Sequence, residues 1–302
     1  PDTINNTNAD EAGVLDLQYW IKILDKQRSI LSKISGVVPF SKIIETSRAA
    51  YLIRQYLNNN LYDRLNTRPF LENIEKLWIT YQLLNILTEC HENGVYHGDI
   101  KTENILVTSW NSVFLTDFAC YKPVYLPEDN PGEFVFYFDT SQRRNCYLSP
   151  ERFLSKDQVP TKIDFGNLSE SDRFVLEKMD IFSLGCVIAE LYLEGGSIFT
   201  LSQLFKYRNG AYYPNLDNIN NENLKKIVQS MISLDPSNRK SAAEYLQEFK
   251  EILFPSSFYS FLGDYIKDLI YINNIEGTYK ESSGRKVGVR IGDDYYDDKL
   301  KE

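Results

Sequence analysis

His97-Gly98-Asp99-Ile100-Lys101-Thr102-Glu103-Asn104, followed by Thr116-Asp117-Phe118-Ala119, concentrates the chemistry of this 302-residue chain. Asp99 and Asn104 fall on a short loop between a helical pattern and a strand, and Asp117 closes the next strand. Two strands joined by a tight hairpin bring Asn104 and Asp117 side by side. An amide oxygen and a carboxylate there suit Mg²⁺, which takes one or two carboxylates and completes its shell with phosphates. Asp99 is then placed to accept a proton from an incoming hydroxyl, and Lys101 to balance charge on a transferring phosphoryl group. Each residue also has a plainer role. A loop Asp caps a helix or turn, a Lys is solvated surface, and His97 and Phe118 pack. The combination at these spacings is what points to phosphoryl transfer.

Working outward, Val14 to Ile34 repeats apolar residues at helical spacing, and Gly36 and Pro39 stop it. Ala49–Arg54 reads as a short buried strand, and Asn58-Asn59-Asn60 as a turn. A long helix is expected from Leu71 to His91, capped at Asn93-Gly94, with His91 serving the helix dipole. Asn104–Val107 and Val113–Thr116 read as strands flanking a hairpin at Trp110-Asn111-Ser112. Residues 117–151 carry Pro and aromatics without helical period and read as one long functional loop. Further helices are expected at Ile181–Glu194, Asn223–Leu234 and Ser241–Leu253, with no internal repeats. The acidic run 293–298 reads as a solvated tail. Strands followed by helices make an α+β pattern.

Composition sets the outer limits. Lys and Arg number 33 against 42 Asp and Glu, a net charge of −9, which argues against a nucleic-acid partner. Hydrophobic residues at 43% and charged residues at 25% are ordinary globular values. No apolar run reaches membrane-spanning length, and no secretory signal opens the chain. The 4 cysteines are widely spaced, suggesting neither a disulfide framework nor a metal site; Cys120 reads as a small packed thiol. A soluble, reducing, intracellular setting is the expectation.

HGDIKTEN resembles the protein-kinase catalytic loop, and DFA its DFG metal motif. Ser149-Pro150-Glu151 is similar to the APE motif, and the segment from Asp180 to Gly185 to the start of the large-lobe central helix. The run from Leu234 to Arg239 resembles the late motif whose Arg pairs with the APE Glu. The longer runs GDIKTENILVTSWN, LTDFACYKPVYLPEDNPGEFVFYFDTSQRR and CYLSPERF, with YLIRQYLNNNLYDRLNTRPFL before them, narrow the match. They resemble the kinase-like regulatory subunit of the class III phosphatidylinositol 3-kinase complex.

That resemblance implies a bilobal kinase fold with a partial small lobe at 14–57 and a large lobe at 58–275, while the polar residues 1–13 read as a disordered end or loop and 276–302 as a polar linker or tail. It implies Ser/Thr phosphorylation with ATP, or another purine nucleotide, and Mg²⁺. Asp99 and Lys101 would be catalytic, Asn104 and Asp117 would hold metal and nucleotide, and Gln55, Tyr56 and Leu57 would line the base. His97, Phe118, Glu151, Asp180 and Arg239 would be structural. The implied partners are the class III lipid kinase and its Beclin-like complex members. The implied location is cytoplasmic, peripheral on endosome, Golgi or vacuole-related membranes through parts outside this chain. A scaffold that binds nucleotide with little or no phosphotransfer is the alternative.

Three departures bear on that choice. No glycine-rich loop or phosphate-binding Lys precedes His97, so the first strands of the small lobe are either outside these residues or lacking. Gln27 falls where the kinase αC helix carries Glu. Gly98 replaces the HRD Arg, which predicts an activation segment held by packing rather than by phosphate, and Ala119 replaces the DFG Gly, which makes flipping of Asp117 harder. Its aromatics, Phe134, Phe136, Tyr137 and Phe138, read either as packing on the large lobe or as a docking face. Arg143 and Arg144 offer a third reading, in which the loop lies in its own substrate groove.

Overall fold

The computed structural model describes residues 7–46, 50–139, 141–158, 163–193 and 196–253, with two short pairs beyond. The described residues divide into two units at Phe249/Lys250. In the second unit only β7 (Tyr279–Lys280) and β8 (Lys286–Val287) are described past the end of α8. The acidic run at 293–298 and most of the expected tail lie outside the described residues.

The first helix, α1, spans Thr7–Leu31, so residues 7–13 are helical and not the expected loop. Ile23 and Leu24 turn inward with Cys120 against Tyr19, Trp20, Phe40 and Ile43. A hairpin of β1 (Phe40–Glu45) and β2 (Ala50–Arg54) follows, antiparallel, with Lys42 opposite Ile53. The expected strand exists but is not buried: Tyr51 is 57% exposed, because β1 and β2 pair only with each other among the described residues.

Two short helices escaped the periodicity reading. They are α2 (Leu61–Leu65), capped by the Asn60 side chain on the Asp63 N–H, and α6 (Leu201–Arg208), capped by Thr200 and Gln203. The long helix α3 (Asn73–Glu92) lies where the pattern puts it, with Glu72 and Glu75 forming a capping box. Strands β3 (Ile105–Val107) and β4 (Val113–Leu115) pair as the expected hairpin, Leu106 opposite Phe114. Their turn places Asn111 at φ 55°.

The segment 117–151 is not all loop. It contains α4 (Pro131–Tyr137), opened by Pro131 at its first position, and β5 (Leu126–Pro127), parallel to β6 (Phe153–Leu154). Seven residues show no readable helical period. Phe134 and Phe138 face inward, whereas Phe136 is 73% exposed.

Helix α5 (Glu170–Tyr192) starts well before the expected Ile181. A Ser169/Asp172 capping box begins it, ahead of a polar first half that hides the period. Its second half is buried throughout and forms the centre of the large lobe. At Gly185 an added Cβ would fall 2.8 Å from the Met231 Cβ, so only glycine lets α7 (Glu222–Met231) approach so closely. Helix α8 (Ala242–Leu253) completes the described core. Among the described residues no helix is long and apolar enough to cross a membrane.

Candidate active site

The Asp99 loop is held from below by Asp180 of α5. Its carboxylate accepts the backbone N–H of His97 at 2.7 Å and of Gly98 at 2.9 Å, and His91 Nε2 lies 3.1 Å away. Burial opposes ionisation of Asp180, but the His91 bond and the Gly98 N–H outweigh it, so its pKa is lowered. His91 stands in the last turn of α3, where it was expected beside the helix dipole, and it also meets Asp180. Gly98 sits at φ 77°, a left-handed conformation that costs glycine nothing and an L side chain about 1–2 kcal/mol.

A guanidinium from elsewhere in the chain braces the loop at Gly98. Arg152 is buried, donating from Nη1 to the Gly98 carbonyl at 2.8 Å and from Nε to that of Val124 at 2.9 Å. It stacks 4.9 Å from the Phe138 ring. The residue next to Glu151 thus ties the catalytic loop to the activation segment. No spacing in the sequence announces it.

His97 is fully buried, its ring 4.4 Å from Phe118. Burial lowers its pKa against the pull of Asp180 and Asp99, so the ring is neutral. Its Nε2 donates to the Thr116 carbonyl at 2.9 Å, leaving Nδ1 to accept the Asp99 N–H at 3.2 Å. The Ala119 N–H in turn donates to the His97 carbonyl at 2.8 Å, which stitches the two motifs together.

Asp99 is 4% exposed, and three donors converge on its Oδ2. They are Lys122 Nζ at 2.6 Å, Lys101 Nζ at 3.1 Å and Asn104 Nδ2 at 3.2 Å. Asn104 also donates to the Asp99 carbonyl at 2.8 Å, and Lys101 to that of Phe138 at 3.1 Å. Lys122 comes from the activation segment and lies 5.1 Å from the Phe138 ring. It was not among the expected site residues; only its place five positions after Asp117 hinted at it.

Asp117 stands at φ 60° at the mouth of the cleft, and its partner is Arg54 from the end of β2. Arg54 Nε donates to Oδ1 at 2.8 Å and Nη2 to Oδ2 at 3.0 Å. In front of them lies a cavity of about 190 Å³ lined by Leu31, Val38, Leu52, Phe118 and Tyr121. Gln55, Tyr56 and Leu57 are not among its lining residues, and Tyr56 is 78% exposed. Gln27 of α1 is buried facing Cys120, and its Oε1 has no hydrogen-bond partner among the described residues. Burial pushes the Cys120 thiol up to about 12, so it is a packed group and not a nucleophile.

The remaining motif residues meet as expected. Arg239 is buried and donates from Nη1 and Nη2 to the two Glu151 oxygens at 2.6 and 3.0 Å. Arg143 reaches back to the catalytic loop, donating to Glu103 Oε1 at 3.2 Å with its guanidinium 3.3 Å from the Tyr62 ring centroid.

Residues 21–249 match the protein kinase domain, and the chain belongs to the protein kinase family. Within it, the chain is 52% identical over 259 residues to the serine/threonine-protein kinase VPS15 of Saccharomyces cerevisiae, covering 84% of this chain and 17% of that protein. It is 46% identical over 277 residues to vps15 of Schizosaccharomyces pombe, covering 90% and 16%. Identity to VPS15 of Arabidopsis thaliana is 44% over 252 residues, covering 82% and 16%. The chain spans about a sixth of the length of these curated relatives.

Proposed function

We propose that this chain is the kinase domain of a VPS15-type serine/threonine protein kinase. It takes a purine nucleotide, ATP in the first instance, between β2 and the loops carrying Asp99 and Asp117. The observation that carries this reading is the convergence of Lys101, Asn104 and Lys122 on one buried oxygen of Asp99. Asp99 takes the proton of a Ser or Thr hydroxyl, and Lys101 steadies the transferring phosphoryl group. Lys122 has to leave Oδ2 before a hydroxyl can reach it. In the whole protein the domain regulates a class III phosphatidylinositol 3-kinase with Beclin-like members, on endosomal, Golgi or vacuole-related membranes.

Mg²⁺ accompanies ATP in protein kinases in general. Asn104 and Asp117 are the residues that would hold it, but the geometry described does not fit a divalent cation on Asp117. Both carboxylate oxygens already accept from the Arg54 guanidinium, and a metal ion there would meet a positive charge.

The occupied Asp99 and Asp117 also favour the second reading, a nucleotide-binding scaffold with little or no turnover. Phosphate transfer from labelled ATP to a degenerate Ser/Thr peptide mixture separates the two. The enzyme reading expects Asp99→Asn to lose about a hundredfold or more, and Lys122→Met to exceed the unaltered protein. Equal, near-background transfer in all three, beside a thermal shift on adding nucleotide, establishes the scaffold. A ligand at a hundredfold excess over Kd should stabilise by about 2.7 kcal/mol.

A further inference from the structure

The cleft contains a cation that neither the resemblance nor the spacing of the motifs assigns. Arg54 ends β2, and its side chain crosses to Asp117, 63 residues further along the chain. Two donors grip the carboxylate in the bidentate arrangement, and Nη1 donates to the Gln55 carbonyl at 3.2 Å. Three bonds thus fix the plane of the guanidinium, whose side chain is 25% exposed at the edge of the cavity. Among the described residues, two of its five N–H donors are left for an incoming group.

Charge balance decides what that group is. Asp99 holds Lys101 and Lys122, and Asp117 holds Arg54, so three cations stand against two carboxylates. The remaining carboxylate of the catalytic loop, Glu103, is paired with Arg143. A divalent cation entering this set would raise an existing positive excess, whereas a polyphosphate would neutralise it. Arginine is suited to bridging, since its fixed fork matches carboxylate and phosphate alike.

We propose that Arg54 takes the place of the divalent cation between Asp117 and the nucleotide's phosphates, so that this site binds the metal-free nucleoside triphosphate. The proposal rests on the nucleotide-binding reading above and adds the form in which the nucleotide is taken.

The test is titration of a fluorescent ATP analogue into the protein, in EDTA and in excess Mg²⁺, with thermal unfolding of every variant as a folding check. In the unaltered protein, Kd in EDTA should equal or fall below that in Mg²⁺. Arg54→Gln should weaken binding in EDTA by about tenfold or more and recover part of it when Mg²⁺ is added. Arg54→Lys keeps the charge without the fork and should fall between the two. Asp117→Asn should tighten metal-free binding, because it releases the guanidinium to the phosphates; at a metal-dependent site the same change removes a ligand and weakens binding. Binding that requires Mg²⁺ in the unaltered protein, or that is as strong in Arg54→Gln in EDTA, overturns the role of Arg54 and leaves the nucleotide reading standing. Absence of binding in every variant and buffer overturns both.

Discussion

At the scale of single residues, the catalytic loop keeps its shape by exchanging parts. Gly98 meets the backbone demand of a left-handed φ of 77°, and Arg152 supplies a guanidinium to the same neighbourhood from elsewhere in the chain. The two residues act together, since a glycine carries no side-chain donor and its partly buried carbonyl is met by the Arg152 guanidinium. An added Cβ at Gly98 would lie 3.5 Å from the Ala119 carbonyl oxygen, an ordinary contact. Gly98→Ala should therefore destabilise by backbone strain alone, about 1 kcal/mol. Urea unfolding measures it, and an unchanged midpoint would show that the loop relaxes out of this conformation. The residues of the HGD and DFA motifs were legible from sequence because their types and spacing are unusual together. Arg54, Lys122 and Arg152 were not, because an Arg or Lys in isolation looks like solvated surface.

At the scale of elements, caps decided what periodicity could not. The first half of α5 is polar and carries no clear apolar stripe, yet Ser169 accepts the Asp172 N–H at 3.1 Å and sets the start. Ser169→Ala should cost about 1 kcal/mol by removing that acceptor. Chemical denaturation would show it, and an effect below a few tenths would mean that Asp172 and the dipole suffice. Helix α4 and the short helices α2 and α6 were missed for a related reason. Five to eight residues make too few turns to display a period, and their signals are caps and Pro131 rather than a stripe. The activation segment was expected to be held by packing. Its described contacts are consistent with that, with Phe138 between Lys122 and Arg152, although half of α4 faces outward.

At the scale of the whole molecule, two buried acids of α5 pull stability in opposite directions with pH. Asp180 has a lowered pKa, so its contribution is present above the unfolded carboxylate value of about 4 and is lost as pH falls through the folded one. Glu190 is buried, its Oε2 accepting the Tyr147 hydroxyl at 2.6 Å. Burial, opposed by that bond, raises its pKa to about 8. Between an unfolded value of about 4.3 and that folded value only the native state keeps the proton, so stability declines as pH rises. Glu190→Gln should remove this decline, widening its advantage over the unaltered protein by up to about 1.4 kcal/mol per pH unit. Unfolding free energies across pH 5 to 8 test this; parallel curves for the two proteins would place an ionised Glu190 in the native state.

What the sequence determined by itself was whatever local order can encode. The kinase family, the order of its motifs, the β3–β4 hairpin and the long helices are written in residue type, turn chemistry and period, which neighbours along the chain suffice to read. The tertiary structure alone decided which charges meet. Arg54 and Asp117 lie 63 residues apart, and Arg152 lies 54 residues from Gly98. Pairings at such separations depend on how strands and loops are stacked, and the energy of a charge depends on its burial and its partner rather than on its place in the sequence.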